Sequence, residues 1–430
     1  KVFCSNRRRL PNVCFTQVRS GVRRSVRKAV GDTNLRGDTQ MKKSLLALAV
    51  LGAFAAGAQA QSNVTLYGRV DVGLQKVNKV AAGNSSLSGA VANDALNVVQ
   101  GSGSRLGFQG TEDLGGGLKA IFQIEHRFDP DTGLISATQA GSRLCLDATG
   151  NVVAVQTADA NGNFTAACPA GSTAQNVSTR ERFWQGRSYV GLTGGFGTLK
   201  LGREYTPAFW VGITGDPWGY DTIAQIGTGP TIPGSVSRFA NIIDYKSPTW
   251  GGFNFEVAYV PSEISSTPDV GDKDGYGANV TWSGGPVYVG LGYEKSVQIA
   301  SGIPAAGLTP TADITLWNLT GTFKIGLAKL YATYAQSESE PGTGGASTDT
   351  KALALAASFD VGAGQIRVGG SQIKTEPPAG PEPKLTKYGV GYHHNVSKRT
   401  TLYVDAARAK QSDPDLNART GYDLGIKHNF

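Results

Sequence analysis

Apolar and polar residues alternate along most of this chain with a period of two. "NVTLYGRVDVGL" sets Val64, Leu66, Val70, Val72 and Leu74 on one face of an extended segment, with Thr65, Tyr67, Arg69 and Asp71 on the other. "LKAIFQIEHRF" divides Leu118, Ala120, Phe122 and Ile124 from Lys119, Gln123, Glu125 and Arg127. "KALALAASFDV" and "TKYGVGYHH" repeat the pattern, and "GYDLGIKHNF" ends on it with Tyr422, Leu424, Ile426, His428 and Phe430 in line. Helical periodicity is hard to find, and past residue 60 no apolar run approaches the ~18 residues of a membrane helix.

Two kinds of connection separate these segments. Tight turns fall at "EDLGGG", "TGGFG", "TWGGF", "WSGGP", "FKIG", "DVGAG" and "VSKRT". Longer polar stretches fall near 79–103, 129–180, 206–236, 261–273, 296–312, 337–350, 375–385 and 411–418. Seven turns and eight loops make fifteen connections, hence sixteen strands with both termini at the short-turn end. A soluble sandwich or propeller would turn the apolar face inward, whereas a transmembrane barrel turns it outward to lipid. Short connections at one end, long ones at the other, abundant glycine and aromatics near strand ends favour an all-β, 16-stranded antiparallel transmembrane β-barrel.

The front of the chain alters the charge argument. Met41 opens "MKKSLLALAVLGAFAAGAQAQ", with two lysines, a short apolar stretch and a small-x-small site at Ala58-Gln59-Ala60. Residues 41–60 therefore read as a secretory signal peptide, too short to span a bilayer. Residues 1–40, arginine-rich and upstream of it, read most economically as translated sequence before a misplaced start; a transit peptide or a nucleic-acid arm are the alternatives. The net charge of +8 comes from 41 Lys+Arg and 33 acids; residues 1–60 hold twelve and two of these, leaving 29 and 31 over 61–430. The basic balance thus belongs to the leader, and no nucleic-acid partner is expected. Cys145 and Cys168 are the two cysteines beyond the leader, an even pair that suggests one disulfide in an exported protein. It would close a small hairpin around "DATGN" within the long second loop.

Parity also nominates functional side chains. Arg69, Arg105, Arg187 and Arg238 all lie opposite apolar neighbours and so point to the lumen, because a guanidinium on the lipid face near mid-bilayer costs about 2–4 kcal/mol. Lys119, Glu125, Arg127 and Lys200 share that face and read as ordinary wall or rim charges. Among the histidines only His393 points inward, without a catalytic signature around it, and adjacent His393 and His394 face opposite ways and share no metal. No enzyme activity, cofactor or metal is expected. The noncatalytic alternative to a pore is a receptor or adhesion barrel acting through the second loop.

Four stretches, "SNVTLYGRVDVGL", "GSRLGFQGTEDLGGGLKAIFQIE", "GRSYVGLTGGFGTLKLGREYTP" and "YDLGIKHNF", resemble the betaproteobacterial branch of the trimeric Gram-negative general diffusion porins. The resemblance covers residues 61–430. It implies a homotrimer in the bacterial outer membrane, reached by export through the periplasm, that passes small hydrophilic solutes and ions amid lipid and lipopolysaccharide. It implies a third loop, 206–236, folded inward as a constriction, with Asp216 and Asp221 as the acids facing the arginines. It implies that the outer-membrane assembly machinery reads Tyr422 and Phe430 as an insertion signal, and that the second loop can latch onto a neighbouring subunit. Four arginines against two or three acids predict mild anion preference.

Overall fold

The computed structural model describes residues 63–78, 95–135, 142–146, 152–157, 171, 173–177, 183–227, 237–261, 274–299, 311–341, 345–412 and 418–430. The signal peptide and upstream segment lie outside the described residues. The wall begins with β1 (Asn63–Asn78), β2 (Leu96–Val99), β3 (Arg105–Gly115) and β4 (Leu118–Asp129). β5 (Leu134–Ile135) folds back on β4, and β6 (Ser142–Leu146), β7 (Val152–Thr157) and β8 (Thr173–Val177) form a separate three-stranded sheet. The wall resumes with β9 (Ser188–Gly194) and β10 (Gly197–Tyr205), then helix α1 (Pro207–Thr214), β11 (Arg238–Lys246), β12 (Phe253–Val260), β13 (Gly275–Gly284) and β14 (Val287–Ile299). It ends with β15 (Thr311–Ile325), β16 (Ala328–Pro341), β17 (Thr348–Val361), β18 (Gly364–Glu376), β19 (Lys384–Asn395), β20 (Thr400–Gln411) and β21 (Arg419–Asn429).

Each wall strand pairs antiparallel with its successor, and β21 pairs back onto β1, from Arg69↔Asn429 to Asn78↔Thr420. β2 and β3 both lie along β1 and make one interrupted strand, so sixteen strands close the barrel. The seven tight turns and the loop positions expected from the sequence fall where this topology puts them. Phe430 closes the seam, exchanging backbone hydrogen bonds with Gly68 at 3.1 Å each way.

Some boundaries differ from expectation: β14 runs to Ile299, β16 runs to Pro341 and β17 begins at Thr348, each inside a stretch expected as a loop. The second wall strand starts at Leu96, then breaks at residues 100–104, where Ser104 Oγ accepts the Asp71 amide at 3.1 Å and the Ser102 hydroxyl donates to the Asp71 carboxylate. A row of serines and glycines offers the backbone side-chain partners in place of the ladder. In the second loop the expected hairpin exists as β6 and β7, but β8 joins it on the far edge of β6. Cys145 is buried in this sheet and disulfide-bonded; Cys168 lies outside the described residues.

The two faces of the wall are inverted relative to a soluble protein. Outward-facing Leu66, Leu355 and Leu424 are 54%, 56% and 56% exposed, whereas inward-facing Asp71, Asp405 and Asp423 are 0–3% exposed. Tyr259, Tyr276, Tyr388 and Tyr422 ring the long-loop end of the outer surface, with Phe196, Trp250, Phe253 and Phe430 at the turn end. Such an apolar belt between aromatic girdles matches a hydrocarbon layer.

Candidate functional site

The lumen is crossed by the segment after β10. Thr206 caps α1, its Oγ accepting the Phe209 amide at 3.1 Å, and Pro207 opens the first turn. The helix then lies against the inner wall. Asn279 Nδ2 donates to the Pro207 carbonyl and Asn318 Nδ2 to that of Ala208, each at 2.9 Å. Wall glycine makes the room: a Cβ on Gly292 would sit 2.8 Å from Ala208 Cα.

Beyond the helix the chain turns sharply and reaches the opposite wall. Thr222 donates its amide to Gly101 O at 2.8 Å, Trp218 Nε1 donates to Asp405 at 2.8 Å, and the Ile223 amide donates to Asp423 at 2.9 Å. Trp218, Ile223, Ala224 and Ile226 bury themselves against Val77, Ala354, Ala407 and Ala409. The described part of the loop is thus pinned on both sides of the lumen, by amides of β13 and β15 and by carboxylates of β20 and β21 (residues 228–236 lie outside the described residues).

Four of the expected basic residues come together with a fifth. Strand register places Arg69 directly opposite Arg105, and Arg105 directly opposite Arg127, so three guanidiniums form a row across β1, β3 and β4. Glu125 sits among them, 2.6 Å from Arg127 and 3.7 Å from Arg105. Arg238 donates to the Tyr205 hydroxyl, to which Arg127 also donates at 2.8 Å. Arg187 pairs with Glu204 at 2.9 Å and donates to Gln123 at 3.1 Å. A family profile described as Gram-negative porin matches residues 47–414.

The chain belongs to the Gram-negative porin family. Outer membrane porin protein 32 of Delftia acidovorans is 31% identical over 419 residues, covering 91% of this chain and 100% of its own. An outer membrane porin protein of Bordetella pertussis is 29% identical over 431 residues, with the same coverage. The solved structure of an anion-selective porin from Comamonas acidovorans superposes with a TM-score of 0.64 at 26% identity, covering 86% of this chain and all of its own. The porin is accordingly a protein of the bacterial outer membrane, and its family and fold are those of a channel.

The two expected acids of this porin's loop part company. Asp221 faces Arg69, 3.1 Å from its Nη1, with both side chains partly exposed. Asp216 does not present its carboxylate to the lumen. It is 4% exposed and accepts the amides of Trp218, Tyr220 and Gly227 at 3.0–3.2 Å, an arrangement that fastens the turn; burial pushes its carboxyl up to about 6. Arg127, expected as an ordinary wall or rim charge, joins the arginine row, and Tyr205, which parity does not nominate, accepts from both Arg127 and Arg238. Plain counting back from Gly115↔Leu118 would set Phe128 opposite Arg105; the register shift between Asp113 and Gly115 brings Arg127 there instead. Tyr422 and Phe430 share the outer surface at opposite ends of β21.

Proposed function

We propose that this porin is a diffusion pore for small hydrophilic solutes and ions with a mild preference for anions. The observation that carries the reading is the in-register row Arg69–Arg105–Arg127, joined by Arg238. Glu125 and Asp221 are the carboxylates paired with these four among the described residues, which leaves a surplus of positive charge beside the loop. In a narrow aqueous passage such a surplus attracts anions and retards cations. The structurally similar Comamonas protein is an anion-selective porin, which supports the same sign. In a planar bilayer under a potassium chloride gradient, the reversal potential should carry the sign of chloride selectivity; clear cation preference overturns the reading.

The same proposal takes the porin as a homotrimer embedded in lipid and lipopolysaccharide, with Tyr422 and Phe430 read by the outer-membrane assembly machinery. The exposed aromatic positions of both residues support that role. A second reading, surface reception or adhesion through the second loop, rests on the separate sheet of β6, β7 and β8 with its disulfide-bonded Cys145. Liposomes loaded with a small sugar separate the two, because a receptor without a pore leaves them sealed.

A further inference from the structure

The lumen side of the loop is lined with rings. Helix α1 turns Ala208, Val211 and Gly212 to the wall, leaving Phe209 and Trp210 partly exposed. Tyr205 stacks on Phe209 with centroids 4.4 Å apart and planes 19° from parallel, and lies 4.9 Å from Trp210. Tyr220 meets Phe209 edge-on at 5.7 Å. Guanidiniums cap the row: Arg238 Cζ is 4.0 Å from the Tyr205 centroid, and Arg187 Cζ is 4.9 Å from that of Trp210.

Two observations point to a ligand. Phe209 and Trp210 stay partly exposed beside the water channel and so give up some of the hydrophobic stabilisation of a fully buried ring. Arg238 also keeps a buried Nε without a hydrogen-bond partner and has no carboxylate in ion-pair range among the described residues; the Tyr205 hydroxyl is its side-chain partner. A part-buried guanidinium with no carboxylate partner among the described residues therefore stands at the end of an aromatic surface. Arg127 also donates to the Tyr205 hydroxyl, and Arg105 stands directly opposite Arg127 in the strand register.

We propose that the constriction contains a subsite for planar aromatic carboxylates, the ring lying along Phe209 and Trp210 and the carboxylate meeting Arg238 and Arg105. The subsite rests on the pore reading and narrows it to a solute class. A saturated ring acid of equal charge and similar size makes the same ion pairs but lacks the flat π face. Benzoate and cyclohexanecarboxylate differ in that one respect and so isolate the ring contribution.

The test uses the full porin in planar bilayers, with reversal potentials measured between sodium benzoate and sodium cyclohexanecarboxylate. Benzoate should be favoured about threefold to tenfold, the scale of an aromatic contact aided by a neighbouring cation. Trp210→Leu with Phe209→Leu should bring the ratio near one, and Trp210→Phe should retain it. Equal permeabilities in the wild type, alongside ordinary chloride current, overturn the subsite and leave the pore standing. A ratio unchanged in the leucine variants overturns the assigned ring position. Absence of chloride current overturns the pore, and the subsite with it. If the leucine variants fail to fold, the wild type still decides the matter: benzoate should block its chloride current more strongly than cyclohexanecarboxylate, and equal block overturns the subsite.

Discussion

Arg69, Arg105 and Arg127 face one another across neighbouring strands, where like charges ordinarily destabilise a sheet. Asp221 and Glu125 offset part of the repulsion, and the remainder acts on passing ions. At about 6 Å in water one charge is worth about 0.7 kcal/mol to an ion, less with salt. Replacing Arg105 by glutamine should therefore lower the anion-to-cation permeability ratio about threefold, measured as a shift of reversal potential toward zero. An unchanged potential would remove Arg105 from the field. The sequence made the inward direction of Arg69 and Arg105 legible because parity alone sets it. It did not separate Asp216 from Asp221, two acids of one loop. Their difference arises from three amides that close on Asp216 once the turn has formed.

Among the elements, the inward loop owes its position to distant residues. Its bounds were legible, since β10 ends at Tyr205 and β11 begins at Arg238, close to the expected 206–236. Helix α1 was not: "PAFWVGIT" mixes proline, glycine and β-branched residues, a composition with weak helical preference. Asn279 and Asn318 hold it, and neither is local in sequence. At the other end Asp405 accepts from Trp218 Nε1 and pairs with His393 Nε2 at 3.0 Å. Asp405→Ala orphans both groups, at about 1–3 kcal/mol for a buried donor left unpaired. The expected result is a noisier open-channel current, as the loop leaves the wall more often. A current as quiet as wild type would show that Asp405 does not anchor the loop.

For the whole molecule, alternation alone fitted a soluble sandwich as well as a barrel. The uneven loop lengths and the aromatic strand ends chose between them, and the exposed leucines and buried aspartates agree. Leu355 lies midway along β17 on the outer surface. Leu355→Arg should cost about 2–4 kcal/mol of stability in a bilayer, seen as an earlier urea midpoint for the porin folded in vesicles. No loss would mean that this surface does not meet hydrocarbon. The sequence could count strands but could not locate the break at residues 100–104, which depends on Asp71 across the neighbouring strand.

The seam between β1 and β21 also dictates timing. The ladder along the first strand is completed by a strand more than three hundred residues downstream, and Gly68 waits for the terminal phenylalanine. A half-made chain leaving a ribosome or a translocon holds only one edge of that zip. Until β21 arrives that edge has no partner within the chain, so closure of the seam is the last pairing the chain order allows. Slow, all-at-once closure is the corresponding kinetic signature.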